Sequence, residues 1–386
     1  MAQLPNTLEP FFLVVPVSAQ LKYNFLKKQK MTTRSSARAI PLDILRIFAA
    51  LWVLVHHWIS RDGLARNLQQ PYDVSWVPDW IVAAAAPGFL GVDLFFILSG
   101  IVISRSAIGR SWSEFAVARF CRLYPAYAVA IALAILFAPI TLIKYPPLSQ
   151  SILGITGLQW FVGAPTIVGP AWTLFLEVQF YLLITILLLV FGKLTSHQLR
   201  NAAKVWCLVL LLAPSLQLPW LNFLAISEFG PYFALGMLLG LCNSKEELRS
   251  DLPAILVLLA LSCVRIVARL SGASSVPQHE LFAIFMLMGV LYVVYLCAKA
   301  DFLGGFRNIV NPLALMSYPI YLLHEPLGMP AIGALVAYGF SPRVSFLVAG
   351  SVLFFVCWLC VKYYEPMARR FLSEKFFKKS EVGQSN

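Results

Sequence analysis

Apolar residues in this chain gather into long runs, and the polar and basic residues gather between them. A helix needs about 17–25 apolar residues to cross a bilayer. Runs of that kind fall near 41–59, 81–103, 124–143, 172–192, 203–220, 226–243, 253–270, 280–299, 312–334 and 343–364. The pattern predicts an all-α integral membrane protein of about ten transmembrane helices, because only helices and closed barrels satisfy their backbone in lipid. The run 151–163 is shorter and reads as re-entrant or interfacial.

The connections test that count. With the N-terminus in the cytoplasm, the inner connections hold Arg105, Arg110, Arg119, Arg122, Lys193, Arg200, Lys204, Lys245, Arg249, Lys299 and Arg307. The tail adds Arg369, Arg370, Lys375, Lys378 and Lys379, while the outer connections hold little beyond Arg61, Arg66, Lys144, Arg269 and Arg343. Lys and Arg concentrate on the cytoplasmic side of membrane proteins, so both termini are expected there, with the chain multi-pass in the inner (cytoplasmic) membrane.

Composition agrees with this reading. The chain is 59% hydrophobic and 12% charged, against about 45–50% and 25% in a soluble domain. Its formal charge of +12 is then a matter of topology. It does not point to nucleic acid, because no long basic face lies outside the ends. Cys357 and Cys360 form a C-x-x-C inside a predicted span and read as small apolar packing residues. No metal-ligand spacing is visible. Residues 1–39 form a basic extension with Met31 as a candidate start, 40–371 the transmembrane domain, and 372–386 a basic tail.

Polar residues inside the spans are the candidate chemistry, since charged groups are costly in hydrocarbon. In "LDILRIFAALWVLVHHW" (42–58), Arg46 and His57 lie eleven residues apart, about 20° past three full turns and about 16 Å along the axis. They share a face, and His56 points elsewhere. A second reading of Arg46 is as the partner of Asp43, which precedes it by one turn. In "GFLGVDLFFILSG" (88–100), Asp93 reads as an uncompensated carboxylate in mid-span, placed to orient a histidine or to bridge helices, with Gly88, Gly91 and Gly100 permitting close approach. Arg119 and Arg122 share a face in "ARFCRLYPAY" (118–127) and suit either phosphate binding or positive-inside anchoring. Glu177 lies in "GPAWTLFLEVQFYLL" (169–183) between Trp172 and Tyr181, and Tyr321 and His324 are one turn apart in "SYPIYLLHEPL" (317–327). By depth, His57, Glu177 and His324 sort to the outer half, Asp93 to the middle, and Arg46, Arg119 and Arg122 towards the cytoplasm.

These stretches, in this order, resemble the acyltransferase-3 family of membrane O-acyltransferases over residues 40–371. The resemblance rests on Arg46-x10-His57, G-V-D-L-F-F-x-L-S-G (91–100), R-x-x-R-x-x-P-x-Y (119–127), W-T-L-x-x-E-x-x-F-Y (172–181), S-Y-x-x-Y-L-x-H (317–324) and the closing Glu365-Pro366. There are departures. Ile44 and Ile47 stand where the family commonly has glycines, Thr173 where serine is common, and Ala118 where a further arginine often precedes Arg119.

The resemblance implies an acyl-CoA co-substrate at the cytoplasmic face, no bound cofactor or metal, and a carbohydrate hydroxyl as acceptor. It makes Arg46, Arg119 and Arg122 donor-binding, and His57, Glu177, Asp93 and His324 catalytic. His57 is the expected general base, with Asp93 or Glu177 orienting it. Trp172, Tyr181 and Tyr321 would position substrate. Direct transfer and a covalent acyl-histidine both remain open. Two other readings fit ten spans with titratable groups: a proton-coupled transporter or flippase of a lipid-linked sugar, and a scaffold subunit without chemistry.

Overall fold

A computed structural model of the chain describes residues 40–60, 74–137, 168–271 and 304–372, with Gly154 and Thr166. The expected span 280–299, most of the run 151–163, the outer end of 124–143, the extension 1–39 and the tail beyond residue 372 lie outside the described residues.

The described elements are helical throughout. In chain order they are α1 (Ile40–Ile59), α2 (Asp79–Ala85), α3 (Leu90–Ala107), α4 (Trp112–Phe137), α5 (Ala171–Phe191) and α6 (Ser196–Leu216). Then follow α7 (Pro219–Leu224), α8 (Gly230–Leu241), α9 (Lys245–Ser271), α10 (Arg307–Leu323), α11 (Met329–Ala337) and α12 (Pro342–Leu359). A tight turn, Ala86–Phe89, joins α2 to α3, and π-helical turns follow α10 (His324–Gly328) and α12 (Cys360–Tyr364). Among the described residues, eight helices are long and apolar enough to span a bilayer.

Two predicted spans differ from what forms. The third begins at Trp112 rather than near 124. Its first turns are too polar for a hydropathy window, but they have a start signal: Ser111 Oγ accepts from the Glu114 amide, and Glu114 Oε2 accepts from the Ser111 amide. That reciprocal cap fixes a helix N-terminus. Arg119 and Arg122 are therefore helical residues, not loop residues. The predicted span 226–243 contracts to α8, only 12 residues long and buried at every position. A helix apolar all round belongs in a core as readily as in lipid.

The packing of α3 explains the glycines. A Cβ on Gly88 or Gly91 would strike the Trp52 or Ala49 carbonyl of α1, and one on Gly100 would strike the Phe233 carbonyl of α8. Gly236 of α8 meets the Ile97 carbonyl in the same way. Small residues let helix backbones approach closely where lipid supplies no hydrophobic drive. Thus α3 is clamped between α1 and α8. At the start of α9, Arg200 of α6 donates to Asp251 at 2.6 Å, with Lys204 3.3 Å from the same carboxylate.

The spanning helices run in two opposite directions, which gives the bundle two ends. The C-terminal ends of α1, α9 and α10 gather with the N-terminal ends of α3 and α5 at a "histidine end". The N-terminal parts of α4, α6 and α9 gather with the C-terminal end of α12 at an "arginine end".

Candidate active site

His57 and His324 come from separate helices and meet at the histidine end, ring centroids 4.9 Å apart. Each ring is held by its own helix. His57 Nδ1 lies 2.8 Å from the Val53 carbonyl and His324 Nδ1 lies 2.7 Å from the Tyr321 carbonyl. A carbonyl only accepts, so each Nδ1 carries the proton, and in the neutral ring each Nε2 keeps its lone pair. His324 is fully buried, and its Nε2 has no hydrogen-bond partner among the described residues.

Local sequence sets this arrangement. Pro326 lacks an amide hydrogen, so the regular α-helical ladder fails there, and the chain widens into the π-helical turn His324–Gly328. Single π turns inside helices frequently mark functional sites. Trp58 Nε1 donates to the His324 carbonyl at 3.0 Å, and its ring packs where a Gly328 side chain would be. Glu325, the next residue, presses its carboxylate against Gly169, where any side chain would collide.

A line of polar groups runs from the histidines towards the arginine end. Tyr321 lies next to His324, ring centroids 5.9 Å apart, and Thr173 Oγ1 donates to its hydroxyl at 2.9 Å. Further along, Glu177 Oε1 accepts from Ser99 Oγ at 3.1 Å and from the Tyr181 hydroxyl at 2.6 Å. Arg119 follows, its guanidinium 6.0 Å from the Tyr181 ring and 5.8 Å from the Phe115 ring. Arg122 is 5.8 Å from the Tyr318 ring and 3.6 Å from Glu365, which also pairs with Arg369. Arg119 Nε and Arg122 Nη1 have no hydrogen-bond partner among the described residues.

One expectation is corrected here. Asp93 is not uncompensated: of its two readings, the bridge between helices is the one that forms among the described residues. Arg269 Nη2 donates to its Oδ2 at 2.6 Å and to the Tyr232 hydroxyl at 3.0 Å. Buried carboxylates demand a counter-charge, and α9 supplies it. Among the described residues, Glu177 is hydrogen-bonded to Ser99 and Tyr181, with no hydrogen bond to a histidine. Arg46 pairs with Asp43 at 3.0 Å, one of the two readings of that helix. Trp172 is half-exposed at the start of α5, with its ring 5.3 Å from Phe229.

Sequence reasoning placed Arg269 in an outer connection and missed its carboxylate partner. It also gave no role to Tyr318 or Glu325. The one available signal was that Arg265 and Arg269 fall one turn apart at the end of a predicted span. Among the described residues, no group of three or more His, Cys, Asp or Glu has the placement to hold a metal ion.

The acyltransferase-3 pattern, an acyltransferase domain, matches residues 41–362. The chain belongs to this family. The peptidoglycan O-acetyltransferase OatA of Listeria monocytogenes is 28% identical over 190 residues, 42% of this chain and 26% of that protein. The regulator of hypoxia-inducible factor 1 of Caenorhabditis elegans is 30% identical over 183 residues, 42% of this chain and 36% of its own length. Nodulation protein 10 of Rhizobium leguminosarum is 29% identical over 178 residues, 40% of this chain and 45% of that protein. The matched stretch thus spans from about a quarter to just under half of these relatives. No solved structure matches the chain at a significant level. The chain is thus a multi-pass membrane member of an acyltransferase family, with eight candidate spans among its described residues.

Proposed function

We propose that this acyltransferase moves an acyl group, acetyl in the first instance, from acyl-coenzyme A to a hydroxyl of a cell-surface or exported carbohydrate. The arginine end and both termini face the cytoplasm, and the membrane is the inner one. The observation that carries the reading is the His57–His324 pair, 4.9 Å apart with each Nδ1 tied to a carbonyl. It stands at one end of a polar line whose other end holds Arg119 and Arg122. The name of the Listeria relative supports a carbohydrate acceptor.

Arg119 and Arg122, with Arg46 beyond them, grip the phosphates of the donor, for which a delocalised guanidinium fork is suited. The pantetheine arm runs past Tyr181, Glu177 and Tyr321 towards the histidines. His57 Nε2 takes the proton from the acceptor hydroxyl as that oxygen bonds to the thioester carbonyl carbon. The tetrahedral intermediate collapses, the C–S bond breaks, and the proton passes from His57 to the departing thiolate, leaving free coenzyme A and the ester. His324 and Tyr321 position the acceptor and the developing oxyanion. Trp172 lines the approach. An acyl-histidine relay uses the same geometry with His57 Nε2 as nucleophile.

The test is transfer of radiolabelled acetyl from acetyl-CoA to the host's surface glycans by membranes carrying wild type or His57→Ala. The expected result is label in glycan with the wild type and a loss of about 10²–10⁴-fold in the variant, the usual worth of a general base. A fully active variant removes His57 from the chemistry. No label from intact wild-type protein overturns the acetyl-CoA reading.

A further inference from the structure

A cavity of about 630 Å3 opens at the histidine end, away from the polar line described above. Its volume falls within the range of about 300–1,000 Å3 usual for small-molecule sites. Pro214 at the end of α6, Asn222 of α7, Ser227 and Glu228 in the turn that follows, and Arg265 and Arg269 in the last turns of α9 line it. Three separate parts of the chain therefore build one polar hollow.

The charges in this hollow balance. Arg269 is neutralised by Asp93 behind it. That leaves Arg265 and Glu228, one positive and one negative, neither of them in a hydrogen bond or salt bridge among the described residues. Ser227 Oγ donates to Asn222 Oδ1 at 2.9 Å, which leaves the Asn222 amide hydrogens to donate elsewhere. A hollow with no excess charge does not select a polyphosphate, and one lined by polar groups does not select an acyl chain. Strong donors beside strong acceptors match a ligand whose every group both donates and accepts, which describes a neutral polyhydroxylated sugar.

The backbone here is pre-set. Gln217 (φ 51°) and Ile226 (φ 55°) are the two non-glycine residues with positive φ among the described residues, and both lie in the connection that forms the hollow. A β-branched residue in that region is strained. Such strain persists only where the surroundings fix it, and it concentrates at ligand sites. The fixing contacts are visible: the Ile226 carbonyl accepts from the Gly230 amide at 2.6 Å, and the Ala225 carbonyl accepts from Trp206 Nε1 at 2.9 Å.

A file of packed side chains joins the wall of the hollow to the histidines. Arg269 on its wall stacks 5.7 Å from the Phe89 ring, Phe89 meets His56 at 5.9 Å, and His56 meets His57 at 5.1 Å. We infer that this cavity is an acceptor subsite, holding one unit of a neutral glycan on Arg265, Glu228 and Asn222 while a neighbouring unit reaches His57. The inference rests on the acyl-transfer reading of the histidine end.

Direct binding tests it without catalysis. Full-length protein in lipid nanodiscs is titrated with a fluorescent N-acetylglucosamine tetrasaccharide, comparing wild type, Arg265→Gln and Glu228→Gln. Coenzyme A binding serves as the check that each variant is folded. The expected result is that Arg265→Gln and Glu228→Gln each weaken the tetrasaccharide at least tenfold, while coenzyme A binds as in wild type. A wild type that does not bind it, or pocket variants that bind it equally well, overturns the subsite. The acetyl-transfer assay separates the two ideas. Transfer by wild type with unaffected binding in the pocket variants removes the subsite alone. Binding through the pocket with no transfer removes the acyl-transfer reading alone.

Discussion

Arg269 and Arg119 both stand among aromatic rings inside the helical bundle, yet they differ in what answers their charge. Arg269 lies within 6.0 Å of the Phe89, Phe229 and Tyr232 rings and donates to Asp93 at 2.6 Å. Arg119 has the Phe115 and Tyr181 rings but no carboxylate partner among the described residues, and its Nε is unmet. A buried cation that the protein itself neutralises is committed to the fold. A cation given only ring faces keeps its charge for an anion from outside. Arg122 stands between the two, shared loosely with Glu365 at 3.6 Å.

This contrast breaks most readily at Asp93. Asp93→Ala strands Arg269 without its counter-charge, and removing one partner of a buried pair costs about 3–5 kcal/mol. Thermal unfolding of detergent-purified protein should fall accordingly, and Asp93→Leu combined with Arg269→Met should regain most of the loss. A stable Asp93→Ala variant would show that the pair is not structural. Arg119→Ala should do the reverse. Its stability loss should stay within the approximately 0.5–1 kcal/mol of an exposed cation–π contact. The KM for acyl-CoA should rise about tenfold or more, from charge-assisted bonds worth about 1.5–3 kcal/mol. An unchanged donor KM would remove Arg119 from the donor site.

Glu365→Gln sharpens the intermediate case. The Arg122–Glu365 contact is long at 3.6 Å, so the donor KM should shift by less than about fivefold, read in the same assay. The smallest effect is expected at His56. Its Nδ1 is engaged by the Ala85 carbonyl at 3.1 Å and its ring by Phe89, so His56→Ala should lower kcat by only a few-fold. A loss as large as that of His57→Ala would move the chemistry to the other histidine.

Much of the architecture was legible because spanning helices write themselves as long apolar runs. The exceptions have local reasons. The first turns of α4 are announced by a cap at Ser111 and Glu114, a signal that hydropathy does not carry. The brevity of α8 cannot be read from its composition, since an apolar helix looks alike in lipid and in a core. The site was legible as a set of polar residues at comparable depths, but not as a set of partners. Arg46 with Asp43 is local, and one turn of helix suggests it. Asp93 with Arg269 and His57 with His324 are meetings of distant helices, and no spacing in one segment encodes them. For Asp93 both a histidine and a bridge between helices were open, and the bridging partner was not legible because Arg269 reads as a loop residue.

The distance in sequence between Asp93 and Arg269 also bears on how the protein is made. They are 176 residues apart. During synthesis α3 enters the bilayer before α9 is made, so its carboxylate enters without the matching guanidinium. Until then the nascent chain displays an acid in the hydrocarbon, a costly state that any membrane surveillance protease can exploit. The pair can form only once α9 is made. A chain ended after Leu241 should be cleared faster than the full chain in a pulse–chase experiment, and Asp93→Leu should lengthen the life of that fragment.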